Sequence, residues 1–155
     1  MVIERSGACP RNIATAARVL HAVNRKNAGI LVDTLHFDRS NSSIEELKKL
    51  PREWFRYVHV CDAPKEKPHS REGLIHTARS ERMFPGDGGI DVRGILAGLP
   101  PDIPYALEIP GDTLAAKVGL EEYARLALRK AEEHLDGLEH GKMKRVGAVE
   151  LNVSR

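Results

Sequence analysis

The chain has 155 residues, of which 41% are hydrophobic and 30% charged, a composition typical of one globular domain able to bury a core. The formal net charge of +2 gives no argument for a nucleic-acid or membrane partner. The two cysteines, Cys9 and Cys61, lack metal-finger spacing, and no apolar run approaches the length of a membrane span. We therefore expect a soluble, cytoplasmic α/β domain without a signal peptide.

Predicted helices and strands alternate along the chain. Short apolar runs near turn residues are typical of parallel strands buried on both faces, and amphipathic stretches separate them. The predicted order is helix 12–27, strand 28–37, helix 42–51, strand 55–63, helix 91–101, strand 104–110 and helix 120–135. This alternation predicts right-handed βαβ units and a parallel sheet. The domain is expected to span 1–135, with 136–155 as a loosely held tail.

A long polar segment, 64–89, interrupts this rhythm and is predicted to be a loop that is either functional or disordered. The motif "ERMFPGDGGID" (81–91) overlaps the end of this segment. Its glycines allow tight turns and close backbone approach to a ligand. Arg82 could bind a substrate hydroxyl, carboxylate or phosphate there. A plain turn leading into the next helix is the alternative.

Polar side chains stand near the carboxyl ends of all three predicted strands. Asp33 lies in the first strand, His59 and Asp62 in the second, and Glu108 in the third. In parallel α/β folds these strand ends carry the active site. A buried carboxylate such as Asp33 is costly unless it has a partner, and a cation would offset that cost.

Asp, His and Glu side chains that converge in this way suit a divalent cation such as Mn²⁺, Mg²⁺ or Zn²⁺. Each residue alone also has a simpler interpretation. Asp33 could be a helix cap or loop anchor, His59 a satisfied core histidine, and Glu108 the partner of an arginine.

Four motifs together resemble a known family. "GILVDTLHF", "YVHVCDA", "RMFPGDGGID" and "YALEIP" are similar, in order, to the last three strand motifs of xylose isomerase-like TIM-barrel proteins. That family includes sugar and sugar-phosphate isomerases and epimerases, inosose dehydratases and, more distantly, DNA-repair endonucleases with three zinc ions. The resemblance runs from about Gly29 to Leu135. It implies a partial (β/α)8 TIM barrel, made of about the last three or four βα units with parallel strands.

The resemblance also implies roles for individual residues. Asp33, His59 and Glu108 would be metal ligands, and His36 and Arg82 would hold the oxygens of a small carbohydrate substrate. The metal would be Mn²⁺, Mg²⁺, Co²⁺ or Zn²⁺. The DNA-repair branch places a histidine where Arg82 stands and needs a basic face, so no nucleic-acid partner is expected.

The family's fourth ligand is a glutamate at the end of the preceding strand. Here that strand would be "MVIER", which makes Glu4 the candidate, with an exposed charge near the N-terminus as the alternative. The implied reaction is proton transfer beside a carbonyl through an enediolate, with Glu108 and Glu4 flanking the substrate carbon as general acid and base.

A complete barrel needs roughly 250 residues and eight strands, and this chain supplies about half of that. We therefore expect a homo-oligomer, or a second chain that completes the barrel. The implied function is a metal-dependent sugar or sugar-phosphate isomerase or epimerase, active when the barrel is completed. The alternative is a non-catalytic truncated remnant or interaction module of the same fold.

Overall fold

The computed structural model describes residues 12–136 and residue 138. In chain order its elements are α1 (Ile13–Val23), β1 (Ile30–Asp33), α2 (Thr34–Arg39), α3 (Ile44–Lys48), β2 (Phe55–Val60), α4 (Arg71–Ser80), α5 (Val92–Ala97), β3 (Tyr105–Leu107), α6 (Asp112–Val118) and α7 (Leu120–Leu135). None of the helices in this described part has the length and apolar character needed to span a membrane.

The three strands form one parallel sheet in the order β1-β2-β3. Its register places Asp33 opposite His59 and His59 opposite Ala106, so these residues share one row and one face. Glu108 directly follows β3, and its N–H extends the ladder by donating to the Val60 carbonyl oxygen at 3.3 Å. The register therefore aligns the carboxyl ends of all three strands, as the predicted parallel sheet requires.

The hydrophobic core lies on the face of the sheet opposite the polar row, between the sheet and the helices that cover that face. Burying one aliphatic side chain of this kind contributes about 1.5–3 kcal/mol. The largest fully buried apolar side chains are Leu35, Leu47, Val58, Val60, Val92 and Leu96. This packing fixes the strands, and with them the row of polar side chains at their carboxyl ends.

The predicted strand over 28–37 is wrong beyond Asp33, where the chain turns into α2. Leu35 and Phe37 are both buried, and their alternation with polar residues imitates a strand. The side chain of Asp33 accepts the N–H of His36 at 3.0 Å and so caps the new helix. This cap ends the strand and starts the helix at the same residue.

The predicted loop 64–89 contains a helix that the sequence analysis missed, α4. Ser70 caps it by accepting the N–H of Gly73 at 3.0 Å, and none of its residues is buried. A helix without a buried stripe lacks the apolar periodicity by which helices are predicted. The helix α6 was also missed, whereas α7 has its predicted bounds.

Three further predicted helices are present, each shorter than predicted: α1, α3 and α5. For example, α1 ends at Val23 because Asn24 adopts a left-handed conformation with φ of 44°. Glu4, with its predicted strand, lies outside the described residues. So does the predicted tail 136–155, apart from Asp136 and Leu138.

Candidate metal centre

Three strand-end side chains converge at the carboxyl edge of the sheet. Asp33, His59 and Glu108 each offer one ligand atom, and these atoms all lie within 4.8 Å of one another. The Nδ1 atom of His59 is 2.9 Å from Glu108 Oε2 and 3.9 Å from Asp33 Oδ2. Two carboxylates and an imidazole are a donor set that fits a small divalent cation. The structure thus brings together the three side chains that were predicted as metal ligands.

A guanidinium group lies between the two carboxylates of this cluster. Arg82 Nη1 donates to Asp33 Oδ2 at 2.8 Å and lies 3.0 Å from Glu108 Oε2. The same nitrogen donates to the Glu108 carbonyl oxygen at 3.2 Å and to the Cys61 sulfur at 3.4 Å. Only 5% of the Arg82 side chain is exposed, so this arginine is the charge partner of Asp33 in the structure.

The environment of Asp33 keeps its carboxyl ionised. Burial on its own would raise the pKa of the Asp33 carboxyl, but the charge of Arg82 and the hydrogen bond from His36 outweigh it. The net effect is a pKa below the ordinary value of an aspartate. A buried carboxylate that is ionised at neutral pH is therefore available as an anionic ligand.

The backbone around Arg82 is held against the ends of two strands. Met83 and Asp62 exchange N–H···O bonds at 2.9 Å in both directions, which joins this segment to the end of β2. The N–H of Arg82 donates to the Pro110 carbonyl oxygen at 2.8 Å, beyond the end of β3. Its Nε atom donates to the carbonyl oxygen of Ala78 at 2.8 Å. The arginine is thus positioned by the strand ends themselves.

His36, predicted to hold substrate oxygens, lies in the first turn of α2 next to this cluster. Burial lowers the pKa of its imidazole, and the charge of Arg82 acts in the same direction. The ring is therefore neutral at pH 7 and can either donate or accept a hydrogen bond. Its role toward a substrate stays a prediction.

Asp62, although it follows the same strand as His59, does not join the cluster. Its carboxylate is 1% exposed and accepts four backbone N–H groups, three of them from the glycine-rich loop. These donors are Ala63 at 2.8 Å, Ile90 at 3.0 Å, Gly86 at 3.0 Å and Gly88 at 3.1 Å. Asp62 therefore organises the loop that follows Arg82.

Two buried residues beneath the cluster were missed from sequence. Thr34 Oγ1 donates to the Cys61 carbonyl oxygen at 2.7 Å and accepts the Cys61 N–H at 3.0 Å, which ties the ends of β1 and β2 together. Burial raises the pKa of the Cys61 thiol, so it stays protonated beside Arg82. The available signal was spacing, because Cys61 is two residues beyond His59 and strand side chains alternate between faces.

Replacing Thr34 by valine is expected to lower the free energy of unfolding by about 2 kcal/mol. Valine keeps the side-chain shape but leaves the buried N–H and carbonyl of Cys61 without these hydrogen bonds. Urea denaturation followed by circular dichroism measures the change. Thr34→Ser keeps the hydroxyl and should lose clearly less stability; equal losses in the two variants would contradict this role.

A parallel α/β sheet with ionisable side chains gathered at the carboxyl ends of its strands is typical of (β/α)8 barrels and of open doubly wound sheets. A family profile described as xylose isomerase-like TIM barrel matches residues 2–134. The chain belongs to the xylose isomerase-like TIM-barrel family. The predicted partial barrel with parallel strands is therefore confirmed.

The curated relatives that this chain matches include inosose isomerases. The protein of Bacillus licheniformis is 30% identical over 110 residues, which cover 70% of this chain and 35% of the relative. The protein of Bacillus subtilis is 27% identical over 116 residues, covering 75% of this chain and 37% of the relative. This chain thus spans about a third of the length of these relatives.

Solved structures show the same fold. A crystal structure described as IOLI protein with a binding zinc atom has a TM-score of 0.67 at 23% identity, over 81% of this chain and 44% of that one. A xylose isomerase domain protein from Alicyclobacillus acidocaldarius has a TM-score of 0.52 at 26% identity, over 77% of this chain and 44% of that one.

Proposed function

We propose that this chain is the metal-binding part of a sugar or sugar-phosphate isomerase or epimerase. The observation that carries the proposal is the convergence of Asp33, His59 and Glu108 within 4.8 Å at the carboxyl ends of three parallel strands. The inosose isomerases among the relatives support a polyol-like carbonyl compound as substrate.

Asp33, His59 and Glu108 would hold the divalent cation, which we propose to be Mn²⁺, Mg²⁺, Co²⁺ or Zn²⁺. When bound, such a cation supplies Lewis-acid stabilisation of negative charge on substrate oxygens. The zinc atom named for the similar IOLI structure supports a divalent cation as a ligand of this fold. Glu4 remains the predicted fourth ligand.

Glu108 is the side chain of the cluster best placed to move a proton. Its side chain is 45% exposed, whereas Asp33 is almost fully buried, so a substrate carbon can approach Glu108. A carboxylate within reach of a carbon beside a carbonyl acts as a general base and then as an acid. Arg82 and the neutral ring of His36 would orient the substrate's oxygens, and Glu4 would serve the opposite face.

We further propose that another polypeptide segment, from a second copy or a different chain, completes the barrel. The described sheet has three strands, and a (β/α)8 barrel has eight. Tyr57, which precedes His59 on the same face, is 39% exposed, although the interior face of a closed barrel is filled with packed side chains. The alternative is a non-catalytic truncated remnant or interaction module of the same fold, which binds no substrate.

Proton exchange in heavy water tests this function. With Mn²⁺ and an inosose as substrate, the wild-type protein is expected to replace the substrate's proton beside the carbonyl by deuterium. NMR measures the loss of that proton signal. Glu108→Gln should slow this exchange on the order of a hundredfold, because general-base catalysis is lost. Glu45→Gln, at an exposed glutamate paired with Lys48 on α3, is the matched control and should exchange like the wild type.

Equal exchange in Glu108→Gln and wild-type protein would contradict Glu108 as the base. Mn²⁺ binding without exchange of any inosose, ketose or sugar phosphate would favour the remnant.

A further inference from the structure

The guanidinium of Arg82 uses the same oxygen atoms that a metal ion would need. Asp33 Oδ1 accepts the N–H of His36, so Oδ2 is its oxygen facing the cluster, and that atom accepts Arg82 Nη1 at 2.8 Å. Glu108 Oε2 lies 3.0 Å from Arg82 Nη1 and 2.9 Å from His59 Nδ1. The oxygen atoms that converge with the imidazole are therefore already in contact with a positive charge.

A divalent cation and a guanidinium cannot both make close contact with these oxygens at low cost. Two positive charges a few ångströms apart repel strongly in a partly buried site, and each would weaken the other's attraction to Asp33 and Glu108. Asp33 is only 2% exposed, and an unpaired buried carboxylate is strongly unfavourable. Its carboxylate therefore needs either the guanidinium or the metal ion as a partner.

The backbone that carries Arg82 is held independently of its side chain. The N–H of Arg82 is bonded to Pro110 and the next residue is bonded to Asp62, so the main chain is fixed at both strand ends. The head group is held by Nη1 and by the Nε bond to the Ala78 carbonyl oxygen. Because the Glu108 side chain is half-exposed, the cluster opens toward solvent on that side.

We propose that Arg82 is the built-in counter-ion of Asp33 and Glu108, and that a divalent cation binds by displacing its guanidinium from these two carboxylates. This inference rests on the proposed function and assigns Arg82 a role in setting metal affinity, separate from substrate binding. The displacement replaces the single positive charge of the guanidinium by the two positive charges of the metal ion, so the Asp33 carboxylate always has a cationic partner. The released guanidinium stays tethered beside the site.

Calorimetric titration of the chelator-stripped protein with Mn²⁺ tests the displacement. Arg82→Gln is expected to bind Mn²⁺ at least about tenfold more tightly than the wild type, because the competing cation is gone. The matched control is Arg52→Gln, which removes the same charge from an exposed pair with Asp102, joined at 2.7 and 2.6 Å, and should bind like the wild type.

Equal Mn²⁺ affinity of Arg82→Gln and the wild type would overturn the displacement of Arg82 by the cation but leave the metal centre intact. Absence of binding in both would overturn the displacement together with the metal centre of the proposed function. These two failures are therefore distinguishable in one experiment.

A second measurement on the wild-type protein covers the case in which Arg82→Gln does not fold. Heteronuclear NMR follows the side-chain Nε–H of Arg82 while diamagnetic Zn²⁺ is added. Displacement is expected to shift this signal and speed its exchange with solvent at one equivalent of Zn²⁺, because the bond to Ala78 is released. A signal unchanged at saturating Zn²⁺ would overturn the proposal.

Discussion

Replacing Asp62 by alanine is expected to destabilise the protein by about 3–5 kcal/mol, since a buried charged acceptor with several donors is removed. Four backbone N–H groups lose their acceptor at once, and three of them belong to the glycine-rich loop. The hydrogen bonds of Asp62 are charge-assisted, which makes each stronger than a neutral one. Urea denaturation of the wild type and the variant measures the loss.

Asp87→Ala is the matched control, because Asp87 lies in the same loop. Its carboxylate is about a third exposed and makes one ion pair, with Lys130 at 2.8 Å. Exposed pairs of this kind contribute less than about 1 kcal/mol, so this variant should remain close to the wild type. If the two variants lost similar stability, the loop would not depend on the Asp62 carboxylate.

The loop around Asp62 requires glycine at two positions for different reasons. Gly86 has a φ of 88°, a left-handed conformation that other residues rarely adopt. At Gly88, a Cβ atom would come within 2.3 Å of the Ala63 carbonyl oxygen and 2.4 Å of Asp62 Oδ1. The motif "PGDGG" is thus explained by the path that the loop takes over a buried carboxylate, and it needs no direct ligand contact.

The strand-end cluster was predictable from sequence because it follows from topology alone. Once three parallel strands are recognised, their carboxyl ends must lie at one edge, so Asp33, His59 and Glu108 are neighbours whatever the loops do. The order of buried apolar runs was sufficient for this step. That Asp33 also caps α2 was foreseen only as an alternative, yet one carboxylate serves both purposes through its two oxygens.

The partner of that carboxylate was not predictable from spacing. Arg82 lies 49 residues beyond Asp33, and their contact depends on how the segment after β2 folds back across the strand ends. That segment includes α4, whose lack of a buried face hides it from pattern-based prediction. Similarly, the two hydrogen bonds between Thr34 and Cys61 depend on the turn from β1 into α2, which the strand-like alternation of Leu35 and Phe37 concealed.

Replacing Asp33 by asparagine is expected to weaken Mn²⁺ binding on the order of a thousandfold. Loss of a residue that only supports a metal ligand typically costs 10–100-fold in affinity, and loss of an anionic ligand itself costs more. The asparagine keeps the shape of the side chain and an oxygen that can accept the His36 N–H, so α2 keeps its cap. Calorimetry on the chelator-stripped protein measures the affinity.

Asp38→Asn is the matched control for this prediction, because Asp38 lies on the same helix, α2. It loses the same charge from a pair with Arg39 at 2.6 Å and should bind Mn²⁺ like the wild type. Urea denaturation of both variants separates loss of a ligand from loss of folding. If folded Asp33→Asn bound Mn²⁺ as tightly as the wild type, the negative charge of Asp33 would make no contribution to the metal centre. Asp33 would then be a partner of Arg82 alone.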